Sequence, residues 1–158
     1  MAAVKSPPHA AYAAIAGTYV GGLGLGGLAA KMLGRNPACQ TTLDFLVLSA
    51  ASFKAAHTLA HDEVTSFLRD PFVKGRAHEG GEDPLESGDY RQAIGELVTC
   101  SRCGGTWAAA FLATTQVLMP NFGRLLTWSL ASAGVNDWLQ AGFAALTEKA
   151  NELEERTG

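Results

Sequence analysis

The chain has 158 residues, 47% of them hydrophobic, with a net charge of −3 and a mean hydropathy of +0.09. That length suits one domain, and the acidic balance lacks the basic footprint that nucleic-acid binding requires. Three cysteines, an odd number, do not form a secretory disulfide framework, and the apolar run after Lys5 outlasts the core of a cleaved signal.

Taken in order, residues 1–9 form a polar lead with Pro7 and Pro8. Ala10 to Ala30 follows with 21 residues and no charge, the length that crosses a bilayer core. A glycine-rich helix over 10–33 is predicted, stopped by Gly34-Arg35-Asn36-Pro37. A second apolar helix is expected over 43–60, entered through Thr41 or Thr42 with Asp44 capping, and carrying Lys54 inside it. Residues 61–99 read as a long polar loop punctuated by Pro71, Gly75, Gly80, Gly81, Pro84 and Gly88, with helical turns at Val64–Leu68 and Tyr90–Val98. Two further helices are expected over 104–122 and 124–155. The first is uncharged from Gly104 to Gly123; the second carries Asp137 and ends in an amphipathic segment where Phe143, Leu146, Ala150 and Leu153 share a face.

Eight valines, two isoleucines and no alternating pattern argue against strands. The expectation is therefore an all-α protein, a membrane bundle of about four helices with the polar loop between the second and third. Counting cations outside the spans gives eight on the side of the termini and three on the other. This puts both termini and the 61–103 loop in the cytoplasm of a bacterial cell membrane.

Within the first helix, Gly22-Leu23-Gly24-Leu25-Gly26-Gly27 contains a G-x-G-x-x-G string, but a dinucleotide site needs a βαβ unit that this chain does not offer. The same glycines form two G-x-x-x-G pairs, Gly17–Gly21 and Gly22–Gly26, which let a second membrane helix approach closely. They are read as a helix-packing surface, for a protein partner or for further copies of the chain.

Cys100-Ser101-Arg102-Cys103 precedes the third long helix. Three readings stand for this C-x-x-C. It packs a helix entrance, it exchanges thiols with a pKa lowered by the helix N-terminus and Arg102, or it binds zinc together with His57 and His61 at i, i+4. Lys54 and Asp137 are the ionisable groups set deepest in apolar surroundings, so they are expected to face the bundle interior and each other. Trp107, Trp128 and Trp138 read as interface anchors and core. No triad, paired carboxylate or phosphate loop stands out, so no catalytic residue is expected, and no cofactor beyond zinc at the cysteine pair.

Three blocks carry a resemblance: Phe53 to Phe72 (FKAAHTLAHDEVTSFLRDPF), Arg91 to Trp107 (RQAIGELVTCSRCGGTW) and Val135 to Gln140 (VNDWLQ). Together they resemble a bacterial family of small uncharacterised membrane proteins, domain-of-unknown-function family 1360, which includes a sporulation-associated member. The cysteine block is its most specific part; His57 stands where arginine is expected, and Ser101-Arg102 replaces a more apolar pair. The resemblance implies a membrane location and no assigned reaction. The function expected is a non-catalytic scaffold or accessory subunit of a membrane complex. The alternatives are a thiol-redox or metal-binding membrane protein, and a soluble helical subunit buried in a large complex.

Overall fold

A computed structural model describes residues 7–76 and 81–157, and among them helices dominate. Helix α1 (His9–Met32) starts at Pro8 and ends where Gly34 takes a φ of +64°. The Arg35 N–H reaches the Ala30 carbonyl at 2.8 Å and the Gly34 N–H reaches that of Lys31 at 3.2 Å. Those two bonds satisfy the last orphan carbonyls, and the left-handed turn needs a residue without a Cβ. The stop legible in the sequence is thus a glycine cap, followed by a 3₁₀ turn at Pro37–Cys39.

Helix α2 (Thr42–His61) opens on a reciprocal cap. The Asp44 N–H donates to Thr41 Oγ1 at 3.2 Å, and the Thr41 N–H donates to Asp44 Oδ2 at 2.9 Å. It is the central helix, packed on both α5 (Ser101–Leu118) and α6 (Pro120–Thr157). Pro120 suits the first turn of α6, where its missing N–H costs nothing, and α6 then runs unbroken for 38 residues.

The interior of this three-helix layer is made of small side chains. Ala51, Leu112 and Ala131 form its centre, and Ser52, Ala56, Gly104, Gly123, Thr127 and Gly134 are buried around it. A Cβ on Gly123 would lie 2.5 Å from the Gln116 Cα, and one on Gly134 would lie 3.1 Å from the Lys54 Cβ. The large apolar side chains point outward instead, among them Phe45, Leu46, Phe111, Phe122, Leu125 and Leu139.

The stretch expected to be a polar loop is folded. After α2 come a 3₁₀ turn (Glu63–Thr65), a short α3 (Ser66–Arg69), a hairpin of β1 (Val73–Arg76) and β2 (Gly81–Pro84), and α4 (Tyr90–Thr99). The strands pair antiparallel, Val73 opposite Pro84 and Arg76 opposite Gly81. The two expected helical turns lie at α3 with its preceding 3₁₀ turn and at α4. The hairpin was not expected: four-residue strands with no alternation, rich in Gly and charge, leave no period to read. Asp89 caps α4 by accepting the Arg91 N–H at 2.9 Å. Gly95 lets α4 press on the chain below, since a Cβ there would lie 2.5 Å from the Phe72 carbonyl oxygen.

Candidate functional site

The 3₁₀ turn, α3, the hairpin and α4 form a cap over the C-terminal end of α2, and the polar residues converge there. Arg69 is fully buried. Its Nε and one terminal nitrogen donate to the two carboxylate oxygens of Glu82, at 2.5 and 3.1 Å. The other terminal nitrogen donates to the Leu59 and Asp62 carbonyls and to Thr65 Oγ1. Thr65 Oγ1 in turn donates to the Thr58 carbonyl at 2.6 Å. One guanidinium therefore ties the end of α2, the turn after it and the hairpin together, using its planar fork on a carboxylate. By charge alone Arg69 counted as one more loop cation. Only its place beside Phe67-Leu68 in an otherwise polar stretch hints at burial.

A second line of groups runs along α2 toward the same end. Lys54 Nζ lies 2.7 Å from Asp137 on α6 and 3.9 Å from Asp62. The structure brings these two residues together, but the Asp137 side chain stays 45% exposed at the edge of the layer and does not turn into its interior. Phe53 packs edge-on against Trp138 just beyond them. His57 and His61 stand with ring centroids 4.8 Å apart, and His61 Nε2 lies 2.8 Å from Ser101 Oγ. Histidine and cysteine blocks forty residues apart in sequence are thereby neighbours. Among the described residues, however, no three of His, Cys, Asp and Glu converge as a metal ion would need.

Cys100 breaks the chain between α4 and α5 and caps α5, its sulfur accepting the Cys103 N–H at 3.4 Å. Hydrogen bonds from the Cys103 thiol and then from its backbone hold the Cys100 thiol below its ordinary pKa. The same thiol contact pushes Cys103 up. Both cysteines are free and precede the apolar stretch that starts at Gly104. Cys103 also lines a cleft of about 410 Å³ between α1 and the α4–α5 corner. There the Tyr12 hydroxyl donates to Glu96 at 2.5 Å, and Tyr19 meets Trp107 edge-on at 5.3 Å. Cys39 lies at the other end of the layer, in a cleft with Pro120 and Arg124.

Of the four glycines read as a packing surface, Gly26 alone touches another element, with its would-be Cβ 3.0 Å from the Thr114 methyl on α5. Gly17, Gly21 and Gly22 face open space.

These features define a small helical protein with a polar cap tied to one end of an alanine- and glycine-packed helix layer. The chain belongs to the family described as a protein of unknown function (DUF1360), whose model matches residues 47–143, from within α2 to the middle of α6. It is similar to the sporulation protein YjcA of Bacillus subtilis (strain 168), 31% identical over 112 residues that cover 62% of this chain and 95% of that one. It is also similar to the UPF0713 protein YngL of the same organism, 29% identical over 101 residues covering 62% of this chain and 76% of that one. No solved structure matches. Helix α1 lies outside the family match, as does α6 beyond residue 143.

Proposed function

We propose that the chain is an integral membrane protein, with α1, α2, α5 from Gly104 onward and α6 as far as Trp138 in the bilayer and the cap on the cytoplasmic face, serving as a non-catalytic scaffold or accessory subunit. The observation that carries this reading is the inverted packing of the helix layer. Water drives large apolar side chains inward, since each one buried is worth about 1.5–3 kcal/mol. Lipid exerts no such drive, so small residues collect where helices meet and large ones turn outward. Here Ala51, Ala56, Gly104, Gly123 and Gly134 are inside, while Leu25, Phe45, Phe111 and Leu125 are each more than 60% exposed. Among the described residues α1 is the one helix long and apolar enough to cross a membrane by length and composition. Its open glycine face supports a lipid or helix contact there.

Alkaline carbonate extraction and maleimide labelling of whole cells test this reading. The protein is expected in the carbonate-resistant pellet, with Cys39 labelled from outside and Cys100 and Cys103 only after permeabilisation. Recovery in the soluble fraction without detergent would overturn the insertion, and external labelling of Cys103 would overturn the orientation.

A second reading rests on the sulfur contact at the start of α5: the cysteine pair as a thiol-exchange site. With Cys100 held down and Cys103 held up, Cys100 is the thiolate that forms first as pH rises. Iodoacetamide at limiting concentration and neutral pH is expected to alkylate Cys100 several-fold faster than Cys103, read by peptide mass mapping. Equal rates would remove this reading.

A further inference from the structure

From the shape and charge pattern of the end of α6, we infer that residues 139–157 form a parallel two-stranded coiled coil with a second copy of this chain. Beyond Trp138 the helix leaves the layer and runs on with its side chains exposed. Along it, Leu139, Phe143, Leu146, Ala150 and Leu153 recur at alternating spacings of four and three. That is the a/d stripe of a heptad, with Leu139, Leu146 and Leu153 at d and Phe143 and Ala150 at a. Leu139, Phe143 and Leu146 are 67–73% exposed and Leu153 is 52% exposed.

The flanking charges choose the occupant and its direction. In this register Lys149 and Arg156 fall at g, and Gln140, Thr147 and Glu154 at e. In a parallel pair each g residue faces the e residue five positions on in the other strand. Lys149 then meets Glu154 of the second copy, and two-fold symmetry makes that contact twice. Gly142 meets Thr147, which neither attracts nor repels. An antiparallel pair would instead set g against g, cation against cation. Within one chain Lys149 leans on Glu152 at 2.6 Å, as does Arg156 at 2.5 Å. Exposed pairs of that kind are weak enough to be exchanged. A membrane surface is the poorer occupant, because residues 147–157 carry four acidic groups against two basic ones and anionic headgroups repel them. From Leu139 to Leu153 the stripe spans about 21 Å at 1.5 Å per residue.

The inference does not depend on insertion, although two copies inserted the same way round would already be parallel. In a full-length Cys39→Ser, Cys100→Ser, Cys103→Ser background, Leu153→Cys puts a thiol at d, and Glu155→Cys puts one at f, facing away. Copper-phenanthroline oxidation of detergent-solubilised protein and of native membranes is expected to join the Leu153→Cys chains at least tenfold faster. Lys149→Glu is expected to lower the dimer fraction several-fold, and Lys149→Glu with Glu154→Lys to restore it. Equal cross-linking at the two positions would overturn the inference, as would an unchanged dimer fraction in Lys149→Glu or a swap that fails to rescue. A monomer found in the carbonate-resistant pellet defeats the coiled coil and leaves the membrane reading standing; a dimer in the soluble fraction does the reverse.

Discussion

The cap and the helix layer are built on opposite rules. In the cap the most deeply buried side chain is charged: Arg69 sits at 0% exposure and is satisfied by Glu82, Thr65 and two carbonyls. In the layer the buried positions are mostly alanine and glycine, and among the described residues Leu112 is the one large aliphatic side chain there that is fully enclosed. Stability in the first region depends on completing a set of hydrogen bonds around a desolvated charge. In the second it depends on the absence of volume, which lets backbones approach until dispersion contacts accumulate. The two should therefore break in different ways, one by deletion and the other by addition.

The largest effect is expected at the ion pair. Arg69→Met leaves Glu82, itself only 5% exposed, as a buried charge without a partner. The loss should be about 3–5 kcal/mol, read by denaturant or thermal unfolding. Arg69→Met with Glu82→Leu should recover most of it, since replacing both partners removes the orphaned charge. A single variant as stable as the parent would show that the cap does not rest on this contact.

A smaller loss is expected in the layer. Gly123→Ala adds one methyl against the backbone of Gln116 at 2.5 Å, forcing α5 and α6 apart. Overpacking of this kind costs about 1–3 kcal/mol, against about 1 kcal/mol gained from the helix propensity of alanine. A net stabilisation would contradict the close-packed layer. The same substitution at Gly17, which meets no neighbouring atom, should not destabilise the isolated chain, so the pair of variants separates packed glycines from open ones.

The smallest effect concerns the edge of the cap. The Ser87 hydroxyl, then the Arg91 N–H, hold the Asp89 carboxyl below the usual carboxylate range. A depressed folded-state pKa means the stabilisation is present above the unfolded value and is lost as pH falls through the folded one. Amide protection in α4, taken relative to the intrinsic exchange rate at each pH, should accordingly fall on acidification below the normal carboxylate range. Asp89→Asn, which keeps an acceptor at the cap, should remove much of that pH dependence. An unchanged acid response in this variant would assign it to other carboxylates.

Much of the helical layer was legible in the residues. Gly34-Arg35-Asn36-Pro37 ends α1 because a left-handed glycine followed by a proline cannot continue a helix. Thr41 and Asp44 start α2 through a cap three residues wide. Both are local arrangements, written within four or five positions of chain. The closeness of Lys54 and Asp137 was also anticipated, since two charges amid apolar neighbours have few other ways to be neutralised. The hairpin was not legible: Val73-Lys74-Gly75-Arg76 and Gly81-Glu82-Asp83-Pro84 have no period and a single β-branched residue between them, and their pairing is held from outside by α4 and by Arg69. The meeting of the His61 and Ser101 blocks was implied by one of the three readings of the cysteine pair, but nothing local selected it, because forty residues separate them and only the docking of α2 on α5 closes that distance.

The sequence by itself determined where α1 stops and α2 starts, which stretch is long and uncharged enough for a bilayer, and the apolar face at the end of α6 with its flanking charges, because each is a short-range pattern of shape and polarity; the break between α5 and α6 falls at Met119, four residues before the expected one at Gly123. Tertiary structure alone decided which glycines are packed and which lie open, that Arg69 is a hub rather than a surface cation, and that the small residues of α2, α5 and α6 face one another. Those outcomes depend on which surfaces meet, and a one-dimensional pattern of sizes and charges does not encode the partner until the chain has folded around it.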